Sequence, residues 1–459
     1  MLVYLGANAN PELEKKVIGL VPNVKFVESY ILNERQQETE KNRILKFDLS
    51  ANYFSGITDS SKVIGFNEIA IIESVLSDKN IALLWTRFGR SFRNNNNLDI
   101  NRNSIAISII KCAIETCLNE KPDIVVFSYE PHILPIYIYK KVCQELNIHT
   151  TTLSISPYLW RMFLDEDKNA ILPIQKFEHV HNNNVQKFIK EKKSDYDIAK
   201  PFYEKRGISG GYLNTLVSKL YSHRRAPNRL FNAILAKRTY RGLSSIRSSF
   251  INKKYICFFL QVQPEMTTLP DGGIFVNQYL AIQMLYFATS KLGISLVVRE
   301  HPSTFNQFDK KWRPSGFYEL LIKLGPNIFF DSLRENPYTL IENSMAVSSI
   351  TGTSLLEGLL LGRPAIAFGN HTLKRYDHPS LVDSFDNDND LINMISIALK
   401  ISATEITKSV ESYLHSAYSS SFGAEVYKGN NLMNLELQNQ ARYDALCQVI
   451  QKLSDKLSS

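Results

Sequence analysis

Short apolar runs, each followed by a polar turn and a segment of helical periodicity, recur along both halves of this sequence. Residues 124–127, 255–260 and 345–347 are such runs. Continuous apolar runs are typical of strands buried on both faces, as in parallel sheets covered by helices. The alternation therefore predicts α/β domains, and 459 residues are enough for two of them.

The periodicity also predicts individual elements in the first half. Helical spacing of apolar residues predicts helices over residues 66–76, 104–118 and 133–146. Compact apolar runs predict further strands over 24–27, 43–47, 81–85 and 149–155. We expect four regions: an N-terminal α/β domain (1–185), a basic helical connector (186–253), a C-terminal α/β domain (254–400) and C-terminal helices that pack across the domains (401–459).

Positive charge is concentrated in the middle of the chain, whose net charge is +8. Residues 205–254 contain no Asp or Glu, and apolar residues alternate there with Lys and Arg. This pattern favours contact with an anionic membrane surface, while a solvated helical linker is the alternative. No nucleic-acid-binding module accompanies the charge, so we expect no nucleic acid partner.

We expect the protein to be cytoplasmic and peripheral on the inner face of the cytoplasmic membrane. No apolar run approaches the roughly 20 residues that span a bilayer, and the first residues lack the features of a signal peptide. The five cysteines are scattered without a CxxC pair, which indicates reduced thiols. We expect neither a metal nor a cofactor.

Three apolar runs of the second half end in polar segments marked by Gly or Pro. These segments are residues 261–265 (QVQPE), 299–302 (REHP) and 350–354 (ITGTS). Strand ends of a doubly wound sheet converge on one crevice, so we expect an anion or nucleotide site there. Taken singly, the third segment is equally consistent with an ordinary strand–helix turn capped by Thr, and His301 with a structural histidine.

The residue types in these segments suit a nucleotide-activated donor. The N–H groups and hydroxyls of Thr351, Gly352, Thr353 and Ser354 open a helix and can hold a phosphate. His301 can bind that phosphate or give it a proton, and Glu357, one turn later, can accept hydrogen bonds from ribose. The chain lacks a Walker loop and a GxGxxG fingerprint, which argues against kinases and dehydrogenases.

The first half offers weaker candidates. Glu130 and His132 follow the strand predicted at 124–127, and Glu130 is the best candidate for a catalytic carboxylate. A Glu that caps the next helix is the alternative. His132 and Arg161 are candidate contacts for an anionic acceptor, unless Arg161 is an exposed residue of an amphipathic helix.

The motifs of residues 261–273, 300–302 and 350–364 resemble the bacterial capsule polysaccharide biosynthesis family. That family includes GT-B transferases of 3-deoxy-D-manno-oct-2-ulosonic acid (Kdo) that use a CMP-activated donor. The resemblance implies two Rossmann-like doubly wound α/β domains facing across a cleft, with residues 1–185 on the acceptor side and residues 254–400 binding the nucleotide sugar. It places His301 and Pro302 at the cytidine phosphate, Thr351 and Thr353 on the phosphate, and Glu357 near the ribose; Gln263, Pro264 and Glu265 would line the donor cleft.

The sequence therefore predicts a glycosyltransferase of capsule or lipopolysaccharide assembly. Its donor would be a CMP-activated 2-ulosonic acid, either Kdo or a nonulosonic acid, and its acceptor a glycan or glycolipid. Three alternatives remain open: a CDP-polyol phosphotransferase, a GT-B-like nucleotide-sugar epimerase, and a non-catalytic binding subunit.

Overall fold

A computed structural model gives the architecture of the chain. It describes residues 2–4, 25–30, 44–48, 66–88, 102–127, 130–132, 134–158, 161–165, 181–194, 227–246, 250, 252–263, 268–305, 313–314, 316–333, 336–423 and 435–458. The chain forms two compact units: Met1–Val180 with Ser416–Ser459, and His181–His415.

The first unit contains a seven-stranded sheet in the order β13-β6-β5-β4-β1-β2-β3, in which β13 is Phe422–Gly423 from the last part of the chain. The strands β1 to β5 pair in parallel, whereas β6 and β13 add to the edge in antiparallel orientation. The strands from the first part of the chain are β1 Leu2–Tyr4, β2 Lys25–Tyr30, β3 Ile44–Asp48, β4 Ile124–Phe127, β5 His149–Ile155 and β6 Arg161–Leu164.

Helices cover one face of this sheet. They are α1 Phe66–Leu76, α2 Lys79–Phe88, α3 Arg102–Glu120 and α4 Leu134–Glu145. The prediction of a strand at residues 81–85 is wrong, since these residues belong to α2. Ile81 and Leu84 are both buried, and this spacing of three residues places them on one helical face. The Asp78 carboxylate accepts the amide of Asn80 at 2.8 Å, at the start of the helix.

The second unit begins with α5 Asn183–Ser194 and α6 Pro227–Ile246. Its six strands are β7 Tyr255–Phe259, β8 Ser295–Arg299, β9 Ile328–Phe330, β10 Ala346–Ser349, β11 Ala365–Ala367 and β12 Leu381–Val382. All pair in parallel, in the order β12-β11-β10-β7-β8-β9. Numbered within the unit, this is the Rossmann order 3-2-1-4-5-6.

Helices pack on both faces of the second sheet. They are α7 Gln278–Lys291, α8 Phe317–Lys323, α9 Pro337–Glu342, α10 Ser354–Leu360 and α11 Asp388–Ala398, and α12 Ala403–Ser419 follows them in the chain. Alternate residues of β7 point to opposite faces, so that Ile256 and Phe258 join one core and Tyr255 and Cys257 the other. This double burial explains why the run carries no charged side chain and why the Tyr255 hydroxyl donates to the Leu340 carbonyl at 2.9 Å.

The end of the chain returns to the first unit as β13 Phe422–Gly423 and α13 Leu435–Ser458. Leu446, Val449 and Leu453 of α13 pack with Ile124 and Val126, which point away from α1 to α4. The helix therefore covers the second face of the first sheet.

The two units confirm the predicted α/β class, since each is a Rossmann-like domain built on a mostly parallel sheet. The unit boundaries do not follow the expected regions: α5 and α6 both lie in the second unit, and α12 is divided between the two units after His415. Helix α6, expected in the connector, belongs to the second unit because its Tyr240 is buried among Phe305, Tyr318 and Phe330. None of the described helices combines the length and apolar character needed to cross a bilayer.

Candidate functional site

The order of the second sheet reverses between its two central strands, β7 and β10. These strands are neighbours, and they continue into Gln261 and Thr351 at their carboxyl ends. The connections from the two strands diverge at such a point and leave a crevice where ligands of open α/β sheets bind. The fold therefore places the expected nucleotide site between these two strand ends.

One side chain joins the two ends directly. The Gln261 Oε1 atom accepts the amide of Thr351 at 2.9 Å, and its Nε2 donates to Thr351 Oγ1 at 3.2 Å. The Gln261 backbone is fixed in turn by Gln278, whose side chain pairs with both its N–H and its C=O at 2.9 Å. The two hydrogen bonds between the Gln261 side chain and Thr351, called here the Gln261–Thr351 clamp, define the conformation of the turn that begins at Thr351.

This turn leaves hydroxyls and amides at the carboxyl edge of the sheet. Ser349 Oγ accepts the amide of Gly352 at 3.3 Å, and a Cβ on Gly352 would lie only 2.7 Å from that oxygen. Thr353 is exposed. Ser354 is buried, and its Oγ has no hydrogen-bond partner among the described residues. The turn thus holds one exposed hydroxyl, on Thr353, that can donate to an anion, and one buried hydroxyl, on Ser354, that has no acceptor among the described residues.

The helix that follows contributes less than the sequence suggested. Helix α10 contains seven residues, and the Thr353 side chain does not cap it. A dipole from so few peptide units is small. An anion at this turn would be held mainly by individual N–H and O–H donors.

Neighbouring loops pack closely against the turn. Asp271, from the loop after β7, accepts the amide of Asn370 at 2.8 Å, and Ile350 accepts that of Gly369 at 2.9 Å. A Cβ on Gly369 would lie 2.7 Å from the Asp271 carbonyl and 2.8 Å from Thr351 Cγ2. Glycine at 369 is required for this approach of three loops.

His301 follows β8, the strand beside β7. Its Nδ1 accepts the amide of Ser303 at 3.1 Å, and its own amide donates to Glu300 Oε1 at 2.8 Å. Since an N–H group points at Nδ1, the proton of the neutral ring lies on Nε2. His301 is half-buried, and in this tautomer its Nε2–H is a hydrogen-bond donor.

A buried ion pair lies beneath the strand ends. Arg313 and Glu300 are 3% and 1% exposed, and Nε of Arg313 donates to Glu300 Oε2 at 2.8 Å. The same carboxylate accepts Tyr318 Oη at 2.7 Å and Thr304 Oγ1 at 3.0 Å. Arg313 also donates to the Gln261 carbonyl at 3.0 Å and to Gln263 Oε1 at 2.8 Å.

Burial by itself would raise the pKa of Glu300, but the charge and hydrogen bonds of Arg313 outweigh it and hold this pKa below its ordinary value of 4.5. Burial, and then the Glu300 charge, raise the pKa of Tyr318 well above its usual range. Glu300 is therefore a fixed anion and Tyr318 a fixed donor, and neither is placed to exchange protons with a substrate.

The other donor-site candidates of the second unit differ in their environment. Gln263 is buried, and its amide is used by Arg313 and by the Val276 carbonyl, so it supports the site from below. Glu357 is half-buried on α10, four residues after Thr353. Pro302 opens a short 3₁₀ turn, Pro302–Phe305. Pro264 and Glu265 lie outside the described residues.

The candidate residues Glu130 and His132 of the first unit are both half-buried. Glu130 Oε2 lies 3.1 Å from Nζ of the buried Lys140, and the Glu130 side chain is 30% exposed. His132 Nδ1 lies 3.5 Å from the Glu130 carbonyl. Both residues follow β4, as the sequence predicted, and Lys140 is a partner that it did not reveal.

The sequence suggested that Arg161 either contacts an anionic acceptor or is an exposed residue of an amphipathic helix, and the structure supports neither interpretation. It lies in strand β6, is 5% exposed, and donates through Nε to Ser421 Oγ at 2.8 Å. It also donates to the carbonyls of Ser421 and Gly423 and lies over the Tyr418 ring. This guanidinium fastens the returning end of the chain and is not available to an acceptor.

The sequence did not identify the residues whose hydrogen bonds organise the site. Gln261 and Glu300 belong to the polar segments predicted at the strand ends, but no sequence feature distinguished these two residues from their neighbours. Arg313 stands in a Trp-Arg-Pro segment without any motif. A buried arginine cannot be told from an exposed one by local periodicity, so no signal identified it.

A cavity of 490 Å³ in the same unit is a poor place for the phosphate. Its lining includes the aromatic rings of Phe275, Phe368 and Phe385 and the carboxylates of Asp383, Asp386 and Asp390. Three carboxylates would repel an anion. This leaves the turn at 351–354 as the better phosphate site.

No protein-family model and no curated protein sequence matches the chain. Solved structures with similarity include Thermosulfurimonas dismutans KpsC, a beta Kdo 2,7 transferase (TM-score 0.33, 11% identity, 96% of this chain and 99% of that chain). Methanocaldococcus jannaschii UDP-GlcNAc 2-epimerase is also similar (0.27, 12%, 89% and 97%). So is an alpha,alpha-trehalose-phosphate synthase (UDP-forming) from Burkholderia vietnamiensis (0.35, 9%, 99% and 98%). With identities and TM-scores this low, the fold class rests on the topology of the two sheets.

Proposed function

We propose that this chain is a glycosyltransferase of capsule or lipopolysaccharide biosynthesis. It transfers a 2-ulosonic acid, Kdo or a nonulosonic acid, from a CMP-activated donor to a glycan or glycolipid acceptor. The observation that carries the proposal is the Gln261–Thr351 clamp, which joins two motif segments at the switch point of a Rossmann sheet. The resemblance of these segments to CMP-dependent transferases supports the choice of donor.

The donor phosphate would sit on the turn of residues 351–354. Transfer breaks the bond between the sugar and the phosphate oxygen, so negative charge develops on the CMP that leaves. The amides of Thr353 and Ser354, the Thr353 hydroxyl and the Nε2–H of His301 would stabilise this charge, since the Thr351 and Gly352 amides already donate within the protein. Glu357 would accept hydrogen bonds from the ribose.

The acceptor hydroxyl needs a base, or the sugar a nucleophile, from elsewhere in the protein. Glu130 is our candidate for either role, since it follows a parallel strand at its carboxyl end and its side chain is partly exposed. The salt bridge to Lys140 would hold the carboxylate in one orientation.

We also propose that helix α6 contacts the anionic inner surface of the cytoplasmic membrane. Ala233 and Tyr240 bury one face of the helix in the second unit. The opposite face exposes Ile234 (59%), Leu235 (49%) and Ile246 (76%), with Arg238 and Arg241 between them. Apolar side chains flanked by cations suit the boundary between headgroups and acyl chains.

A thermal-shift panel of CMP, CDP, UMP and UDP tests the nucleotide. We expect CMP to stabilise the protein most, by about 2.7 kcal/mol at one hundred times its Kd. Incubation with CMP-Kdo or a CMP-nonulosonic acid and a capsular oligosaccharide should then release CMP and lengthen the glycan. Conversion of a UDP-sugar without acceptor, turnover of a CDP-polyol, or binding without turnover would each replace this proposal by the corresponding alternative.

A further inference from the structure

Arg313 is buried too deeply to touch a nucleotide, yet it contacts the ends of two strands that border the crevice. Its guanidinium donates to Glu300 after β8 and to Gln261 and Gln263 after β7. A planar guanidinium can serve three acceptors at fixed angles, which an ammonium group cannot. Arg313 therefore fixes the spacing between these two strand ends.

From Arg313 one path of hydrogen bonds leads to the phosphate turn. Nη2 of Arg313 holds the Gln261 carbonyl at 3.0 Å, and the Gln261 side chain holds the Thr351 amide at 2.9 Å. A shift of the Gln261 backbone would move the clamp and, with it, the N–H and O–H donors of the turn.

A second path leads to the histidine. Glu300, fixed by Arg313, accepts the His301 amide at 2.8 Å and Thr304 Oγ1 at 3.0 Å. The Ser303 amide then orients the imidazole through Nδ1 at 3.1 Å. The direction of the His301 Nε2–H thus depends on the same guanidinium.

We infer that Arg313 is a positioning residue, which sets His301 and the Thr351 turn in register with one another so that both reach the same phosphate. The inference rests on the proposed nucleotide site, and it assigns to Arg313 a role beyond stability. A purely structural ion pair would affect unfolding but not the affinity for nucleotide.

The test compares Arg313→Lys with Arg299→Lys, measuring CMP binding by calorimetry and amide exchange over residues 350–356. Arg299 forms a buried pair with Asp331 in the same sheet, so the substitution and burial are matched, but its guanidinium contacts neither Gln261 nor Glu300. We expect Arg313→Lys to weaken CMP binding about tenfold or more, as loss of outer hydrogen-bond partners does for metal ligands. It should also speed exchange at Thr351, whereas Arg299→Lys changes neither.

The outcomes separate this inference from the proposed function. If the wild-type protein binds none of the four nucleotides, the proposed function fails, and exchange at Thr351 still decides whether Arg313 orders the turn. Equal CMP affinity and equal exchange in the two variants would overturn the positioning role. Should Arg313→Lys not fold, Gln261→Ala cuts the first path while leaving the Glu300 pair intact; unchanged CMP binding by that variant would equally refute the inference.

Discussion

The Nε atom of Arg313 lies 2.8 Å from Oε2 of Glu300, and the two side chains are buried beneath the ends of β7 and β8. Breaking a buried pair by removing one partner is costly because it leaves an uncompensated charge. The pair therefore links the stability of the second unit to the geometry of its crevice.

The Glu300 carboxyl makes the free energy of unfolding depend on pH. Its pKa is lower in the folded protein than the ordinary 4.5, so its contribution is complete above about pH 4.5 and is lost as the pH falls through the folded value. We expect Glu300→Gln to be less stable than wild type at neutral pH and this difference to shrink on acidification. Urea unfolding across about pH 3 to 6 measures it. A difference that stays constant with pH would contradict the assignment.

Tyr318 donates to this carboxylate from a buried position. Replacing it with Phe removes one hydrogen bond to a charged group and should destabilise the protein by about 2 kcal/mol. Tyr279→Phe is the matched control, since Tyr279 is half-buried on α7 and its hydroxyl has no hydrogen-bond partner among the described residues. Denaturant unfolding of the two variants should separate them clearly; equal losses would argue against the network.

Gly358 lies in α10 against strand β10. A Cβ at this position would approach Val347 Cγ2 to 2.8 Å, and the buried strand cannot yield. We expect Gly358→Ala to destabilise by about 1–3 kcal/mol. The helical control is Gly242→Ala, which meets nothing within 4 Å and should stabilise by about 0.5–1 kcal/mol. The opposite signs are the diagnostic result, and a stabilised Gly358→Ala would refute the close packing.

His301→Ala should reduce sugar transfer by about 10² to 10³, the usual effect of removing a donor to developing charge. Its fold should persist, because the hydrogen bond that its side chain loses among the described residues, from the Ser303 amide, is worth about 1 kcal/mol. Steady-state transfer from the CMP-sugar, measured beside the exposed control His149→Ala, checks this. Full activity in a stable His301→Ala protein would remove the residue from the mechanism.

Arg238→Gln with Arg241→Gln tests the membrane face of α6. Each basic residue near an anionic surface contributes about 1 kcal/mol, so partitioning onto phosphatidylserine vesicles should fall roughly thirtyfold for the pair. Lys323→Gln with Lys400→Gln removes the same charge from exposed sites elsewhere in the second unit. Co-sedimentation that falls equally in both double variants would indicate a general charge effect and not a docking face.

The order of the strands along the chain predicted where the polar segments of the site lie. The segments after β7, β8 and β10 were expected at one edge because parallel strands linked by helices end on the same side. Residues 81–85 show the limit of the same reasoning: a short apolar run suits a strand or a buried helix face, and only the packing of Ile81 and Leu84 decided for the helix.

Periodicity and turn chemistry act over a few residues, so the α/β class and the polar strand ends could be predicted from local sequence. Which buried polar groups meet could be seen only in the folded chain. Gln261 and Thr351 are 90 residues apart, Arg313 and Gln261 52 apart, and Arg161 and Ser421 260 apart. A buried donor takes whichever acceptor the sheet order brings within about 3 Å, and that order is a property of the whole fold.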